Sequence, residues 1–281
     1  MNFIFSECTF LRYFIPLVIE GNNRGIKSKM FVEGTNTKYS SPRIKRNFDQ
    51  ILQLAAFFNF ELFEIQELAN HSGLTFMIEG VGRENLQDFH TGASLTYQTD
   101  FTDLFSKYRE EVDNIIFPSK KFAERYNCIS EKNLYLGSPK YDNCMAFMND
   151  GRTKRELICK KYNIPEQEKY ALIAFPRLRD LSKINMINIY QCLEDMGYKI
   201  IVKTRGKDPV QKDSLRGDFY FEDFTWFPHT AMELIEASDL VINFDSTLIK
   251  ESTLLRKKIV NFHIKPFNPK LDFLYDHDFC K

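Results

Sequence analysis

Residues 236–251 read EASDLVINFDSTLIKE. Within them Leu240–Phe244 (LVINF) is a short, mostly apolar run, the pattern of a strand covered on both faces of a parallel sheet. The run ends at Asp245-Ser246-Thr247 and passes straight into a helical pattern over Thr247–Leu255. Unpaired N–H groups and the helix dipole at such a start favour an anion, and Ser246 and Thr247 add hydroxyl donors. Glu251 follows Thr247 by four residues and shares its helix face. A carboxylate one turn from a phosphate seat is placed to hold a ribose diol. Two readings of this stretch stand side by side. Either it is a nucleotide seat, or it is a capped helix with Ser246 as N-cap and Glu251 as a surface ion-pair partner. A capping box does not account for Glu251, because Ile249 and Lys250 occupy the positions where its acidic partner belongs.

Outward from this stretch the same rhythm repeats. Strands are expected at Ala171–Phe175, Lys199–Lys203, Phe219–Phe221 and Lys258–Phe262, and helices at Ile184–Met196 and Thr230–Ala237. Toward the N-terminus the strand candidates are Asn2–Glu7, Ser28–Glu33, Glu61–Ile65, Thr75–Glu79, Ser94–Thr99 and Asn114–Phe117, and one more runs into a turn over Leu134–Pro139. Helices fall at Phe10–Asn23, Lys45–Phe58 and Ser119–Tyr126. Strands alternating with helices define an α/β chain with parallel sheets. At about 150 residues per domain the 281 residues make roughly two domains. The boundary is expected near residues 138–150, giving 1–140 and 141–281 as two Rossmann-like domains.

Charge narrows the function. The chain carries 38 Lys+Arg against 38 Asp+Glu, so the net basic field of a nucleic-acid-binding domain is missing. With 43% hydrophobic and 27% charged residues it is globular. No apolar stretch approaches the roughly 18 residues of a membrane span, and the start lacks the basic region of a signal peptide. The six cysteines show no CxxC spacing and read as buried reduced thiols of a cytoplasmic protein. No GxGxxG, GxxxxGK[ST] or GxSxG occurs, and the five His residues form no close metal-binding pair. The expectation is no metal and no cofactor.

Three segments carry a resemblance. Leu136-Gly137-Ser138-Pro139-Lys140-Tyr141-Asp142 is similar to a "GNPKxD" inter-domain segment. Lys199–Lys203 (KIIVK) resembles an "hhhKxH" strand, and residues 237–247 with Glu251 resemble "SDhhhxxxSSxxxE". Together they resemble the GT-B glycosyltransferases, and most nearly the CDP-glycerol glycerophosphotransferase and capsule-polysaccharide transferase group. The first half fits through its rhythm and through residues 113–119 (DNIIFPS), which resemble the last strand and helix start of that family's acceptor domain. The resemblance implies two Rossmann-like domains facing a central cleft. A nucleotide-activated donor would lie on the second domain and a carbohydrate or surface-glycan acceptor on the first. It also implies a nucleotide-sugar or CDP-polyol as substrate. Two departures accompany it. Thr204-Arg205 stands where the glycerophosphotransferases have Pro-His, so their catalytic His is unmatched. The sequence also stops soon after the last strand, where a helix crossing back to the first domain is usual.

The remaining candidates follow from predicted strand ends. Lys203 and Arg205 would neutralise a leaving diphosphate. Arg177 and Arg179, after the Ala171–Phe175 strand, would approach the phosphates as secondary candidates, and His229 the nucleotide base. In the first domain Asp100 and Glu79 are placed to serve as general base on an acceptor hydroxyl, Asp100 being preferred for its aromatic and hydroxyl neighbours. Each has a plain structural alternative: a solvated strand end, a helix cap or an exposed charge. The activity expected is glycosyl or polyol-phosphate transfer. A nucleotide-sugar 2-epimerase of the same fold and a non-catalytic binding subunit are the alternatives. Nucleic acid is not expected as a partner, and peripheral contact with a membrane is compatible with all three. Donor, acceptor, stereochemical outcome and oligomeric state are not encoded in any motif here.

Overall fold

A computed structural model describes residues 1–32, 44, 47–82, 92–98, 110–125, 127–142, 152–205, 210, 215–222, 227 and 229–264. The chain divides into two units, Met1–Lys140 and Tyr141–Lys281.

The first unit holds seven strands: β1 (Asn2–Phe5), β2 (Lys29–Val32), β3 (Glu61–Glu64), β4 (Thr75–Ile78), β5 (Ser94–Tyr97), β6 (Asn114–Phe117) and β7 (Asn133–Tyr135). Their order is β3-β2-β1-β4-β5-β6-β7 and every pairing is parallel. Helices α1 (Leu11–Asn23), α2 (Phe48–Phe58) and α3 (Lys120–Arg125) belong to the same unit. Strands β1, β4 and β5 are buried at all four positions, as in a sheet covered on both faces, although β5 (SLTY) buries Ser94 and Thr96 between its apolar residues.

The second unit holds β8 (Tyr170–Ala174), β9 (Lys199–Lys203), β10 (Phe219–Phe221), β11 (Leu240–Asn243) and β12 (Lys258–Asn261). Their order is β10-β9-β8-β11-β12, again all parallel. The helices are α4 (Arg152–Tyr162), α5 (Met186–Asp195), α6 (Thr230–Ala237) and α7 (Leu248–Leu254). Successive side chains of a strand face opposite sides. Leu172, Ile201 and Val241 accordingly join Ile158 and Tyr162 of α4 and Ile235 of α6 in one core. Ile173, Val202 and Ile242 join Tyr190 and Leu193 of α5 in the other.

Aspartates latch the N-terminal edges of both sheets. Asp113, Asp218 and Asp239 each stand just before a strand and accept the N–H of a residue on the neighbouring one: Ser94 at 2.7 Å, Ile200 at 2.8 Å and Tyr170 at 2.8 Å. Each thereby satisfies a backbone donor at a sheet edge.

Several elements differ from the sequence reading. Helix α4 falls partly on a stretch read only as polar. Its sequence, RTKRELICKKY, is so charged that among the described side chains only Ile158, Cys159 and Tyr162 mark its buried face. Helix α7 is shorter by one residue at each end than the Thr247–Leu255 pattern. Of the cysteines, Cys8, Cys128 and Cys159 are buried as expected, but Cys192 is exposed on α5, and Cys144 and Cys280 lie outside the described residues. Among the described residues no helix is long and apolar enough to cross a membrane.

Candidate functional site

Strand β8 is the first of its unit, with β9 on one side and β11 on the other, so the chain reverses its direction of travel across the sheet between β8 and β11. In open parallel sheets that switch point, at the carboxyl ends of the strands, opens a crevice for a ligand. The loops after β8 and β11 border it, and the end of β9 is one strand spacing further on. Lys203 and Arg205 therefore lie about 10 Å from the start of the Asp245 loop, across the end of β8, and not next to it.

Residues Arg177 and Arg179 follow β8 and are exposed; the Arg177 carbonyl accepts the Asp180 N–H at 2.8 Å. At the end of β9, Lys203 is 6% exposed and its Nζ donates to the Thr204 carbonyl at 3.1 Å. The alternative of a solvated strand end does not describe Lys203, which is buried, and the half-buried Arg205 is the more accessible cation. Thr204 is fully buried, with its Oγ1 3.0 Å from the Tyr220 hydroxyl, which also lies 3.1 Å from Glu222 Oε1. Burial pushes the Tyr220 phenol above its usual pKa.

On the other side of the switch point, Asp245 adopts φ 49°, in the left-handed region that Asp and Asn enter more readily than other non-glycine residues. Thr247 is the N-cap residue of α7 and makes no side-chain cap bond. Ser246 Oγ accepts the Leu248 N–H at a long 3.4 Å. The surface ion-pair reading of Glu251 does not hold, since the residue is 5% exposed. His229 is also 5% exposed, and its carbonyl caps α6 by accepting the Met232 N–H at 2.9 Å.

The structure thus brings Arg177, Lys203, Arg205, Asp245, Ser246 and Thr247 to the carboxyl edge of one sheet, with Glu251 one turn along α7 and His229 at the start of α6. Glu79 belongs to the first unit, just after β4, the strand beside β1 where that sheet has its own switch point. It too is left-handed, with φ 51°, and its N–H donates to the Tyr97 carbonyl at 2.9 Å. Held strain of this kind concentrates at working sites. Asp100 lies outside the described residues. His263, at the end of β12, lies with Nδ1 3.1 Å from Asp245 Oδ1.

No family model matches the chain, and no curated protein matches it. Solved structures do. The UDP-GlcNAc 2-epimerase of Neisseria meningitidis, bound to UDP-GlcNAc, is similar with a TM-score of 0.67 at 13% identity, over 98% of this chain and 85% of that one. The wall teichoic acid polymerase TagF gives a TM-score of 0.55 at 16% identity, over 92% and 68%. Anabaena Alr3699/HepE, in complex with UDP and glucose, gives 0.55 at 10% identity, over 92% and 79%. At such identities the likeness is one of fold. The chain has the two-unit, Rossmann-like α/β fold of these GT-B proteins, a fold that nucleotide-sugar enzymes share.

Proposed function

We propose that the protein transfers a glycosyl (or polyol-phosphate) group, without a metal, from a nucleotide-activated donor to a hydroxyl of a carbohydrate or surface glycan. The observation that carries this reading is the placement of Arg177, Lys203, Arg205, Ser246 and Thr247 at the carboxyl ends of β8, β9 and β11, around the β8/β11 switch point. Cations and hydroxyls aimed at a developing diphosphate lower the barrier to its departure. Glu251 takes the ribose and His229 borders the base. The acceptor belongs to the first unit, with Asp100 as its base and Glu79 as the alternative.

Titration with UDP, CDP, ADP and GDP tests the donor side. Asp100→Asn tests the chemistry: nucleotide binding is expected to survive and transfer to collapse. Equal loss of both assigns Asp100 to folding or to the donor site.

A second reading, 2-epimerisation of a nucleotide sugar, is favoured by the fold likeness to the Neisseria epimerase, which extends over 98% of this chain and 85% of that one. The proton NMR spectrum of UDP-GlcNAc incubated with the protein alone separates the two. An epimerase generates the C2 epimer without any acceptor, and a transferase leaves the sugar unchanged.

A further inference from the structure

Helix α2 (FDQILQLAAFF) is apolar nearly all round: eight of its eleven residues are Phe, Ile, Leu or Ala. A helix of that composition is ordinarily covered on most of its circumference. Here only Ile51 and Ala55 are buried. Leu52 is 46% exposed and Phe57 80%, the most exposed large apolar side chain among the described residues.

Helix α1 lies beside it. The steps from β1 to β2 and from β2 to β3 cross the sheet in the same direction, and right-handed crossovers then put α1 and α2 on one face. Asn22 Nδ2 donates to the Phe58 carbonyl and ties the C-terminal ends of the two helices together. Just past that end of α1, Ile26 is 43% exposed, and Lys27 next to it is exposed as well. The two-helix layer therefore shows large apolar side chains on its outer surface, where such patches mark a partner or a membrane.

Charge says which. The whole chain balances 38 cations against 38 anions, yet residues 24–47 carry seven Lys and Arg against Glu33 alone. Four of the seven, Lys38, Arg43, Lys45 and Arg46, fall in the ten residues before α2, which hold no acid. The carbonyl of buried Ile44 accepts the Asn47 N–H at 3.2 Å, which anchors the head of α2, and Lys45 and Arg46 stand in the chain between the two. The helix itself has one acid, Asp49, and Arg24 pairs with Glu20 one turn back. The core of a protein–protein interface is depleted of Lys. Apolar side chains with Lys and Arg at both ends of the same layer suit an anionic lipid surface, where the rings sink to the acyl boundary and the cations reach back to the headgroups.

The geometry points to the outer face of α1 and α2 as a docking surface for an anionic lipid bilayer. Phe57, Leu52 and Ile26 enter the boundary between headgroups and acyl chains, and the cations that flank them pair with lipid phosphates. The contact is peripheral and parallel to the helices. It belongs to the first unit and is independent of the donor-site reading, so either stands if the other fails.

The test is flotation of the full chain with vesicles of pure phosphatidylcholine and with vesicles containing about one-third phosphatidylglycerol, at low salt and at about 0.5 M salt. Wild type is expected to float with the anionic vesicles at low salt, to lose most of that binding at high salt, and to bind pure phosphatidylcholine about tenfold more weakly or less. Phe57→Ala, at a position too exposed to carry the fold, should weaken partitioning about tenfold or more. Lys45→Gln/Arg46→Gln should do the same, since each cation near anionic lipid is worth roughly fivefold. Ile187→Ala removes a similarly exposed apolar side chain from α5 in the second unit and should change nothing. Wild type that floats with neither vesicle overturns the inference. So does binding that survives both the Phe57 and the Lys45/Arg46 changes, because the lipid contact then lies elsewhere. Wild type that ignores vesicles but dimerises, and becomes monomeric on Phe57→Ala, overturns it in favour of a second copy on this face.

Discussion

Asp239 and Arg155 clasp each other through two parallel hydrogen bonds, Nη1 to Oδ1 at 2.9 Å and Nη2 to Oδ2 at 3.3 Å. Arg155 also donates to the Glu168 carbonyl at 2.9 Å, while Asp239 receives the Tyr170 N–H. One ion pair therefore joins α4 to the start of β8 and β11, at the sheet edge opposite the candidate site. It fixes the two strands whose far ends border the switch point.

Burial acts to raise the Asp239 pKa, but the Arg155 hydrogen bond, the Tyr170 N–H and the Arg155 charge together hold it below 3.8. A carboxyl that titrates lower when folded stabilises fully above its unfolded pKa, and that contribution is lost as pH falls through the folded value. With Asp239 about a third exposed, screening limits the contribution to about 1 kcal/mol. Asp239→Asn should therefore lower stability at pH 6, and the gap from wild type should begin to narrow near pH 3.8 and close as pH falls through the lower folded value. Urea melts across that range check it; a gap independent of pH assigns the effect to packing.

Burial pushes the Tyr190 phenol up to about 12, and its hydroxyl has no hydrogen-bond partner among the described residues. An unsatisfied buried hydroxyl costs about 1–3 kcal/mol. Tyr190→Phe should leave stability unchanged or raise it by about 1 kcal/mol. Thermal denaturation reads this directly, and a clear fall in Tm means that the hydroxyl is satisfied in solution.

For Glu251, a hydrogen bond from a ribose hydroxyl to an ionised acceptor is worth about 1.5–3 kcal/mol, so Glu251→Ala should weaken nucleotide binding roughly ten- to a hundredfold. The 2′,3′-dideoxy nucleotide should bind wild type weakly and be nearly indifferent to the change. Burial adds a folding cost to Ala, so Glu251→Gln is the control for structure. Unchanged affinity for the ordinary nucleotide in Glu251→Ala would falsify the ribose role.

Arg205 is half-buried at the strand end, with no place among the core residues. Arg205→Ala should reduce donor turnover far more than stability, which should change by under about 1 kcal/mol. Turnover and donor affinity equal to wild type remove Arg205 from the diphosphate. The same comparison on Lys203→Ala should show a larger stability loss, because Lys203 is inside the fold.

Much of the fold was legible because parallel strands are buried on both faces and announce themselves as apolar runs. LVIN, YALIA and KIIVK fall where the sequence places them. Helix α4 was not legible, since few apolar residues interrupt its charge. Glu251 and Lys203 were recognisable as candidates but not as buried groups. Exposure depends on which elements pack over a residue, and no local pattern records that.

The sequence by itself determined the α/β alternation, the strand–helix junction at Asp245–Thr247 and the absence of a dinucleotide or P-loop fingerprint. These are local properties, set by side-chain periodicity and turn chemistry within a few residues. Only the tertiary structure decided that β8 separates β9 from β11, which sets Lys203 and Arg205 two strand spacings from the Ser246 loop. It also decided that Asn243 and Asn261 meet in register, which sets His263 against Asp245. Strand order and register are fixed by how whole strands share two cores, so residues 18 apart in the chain can become neighbours without any local signal that they will.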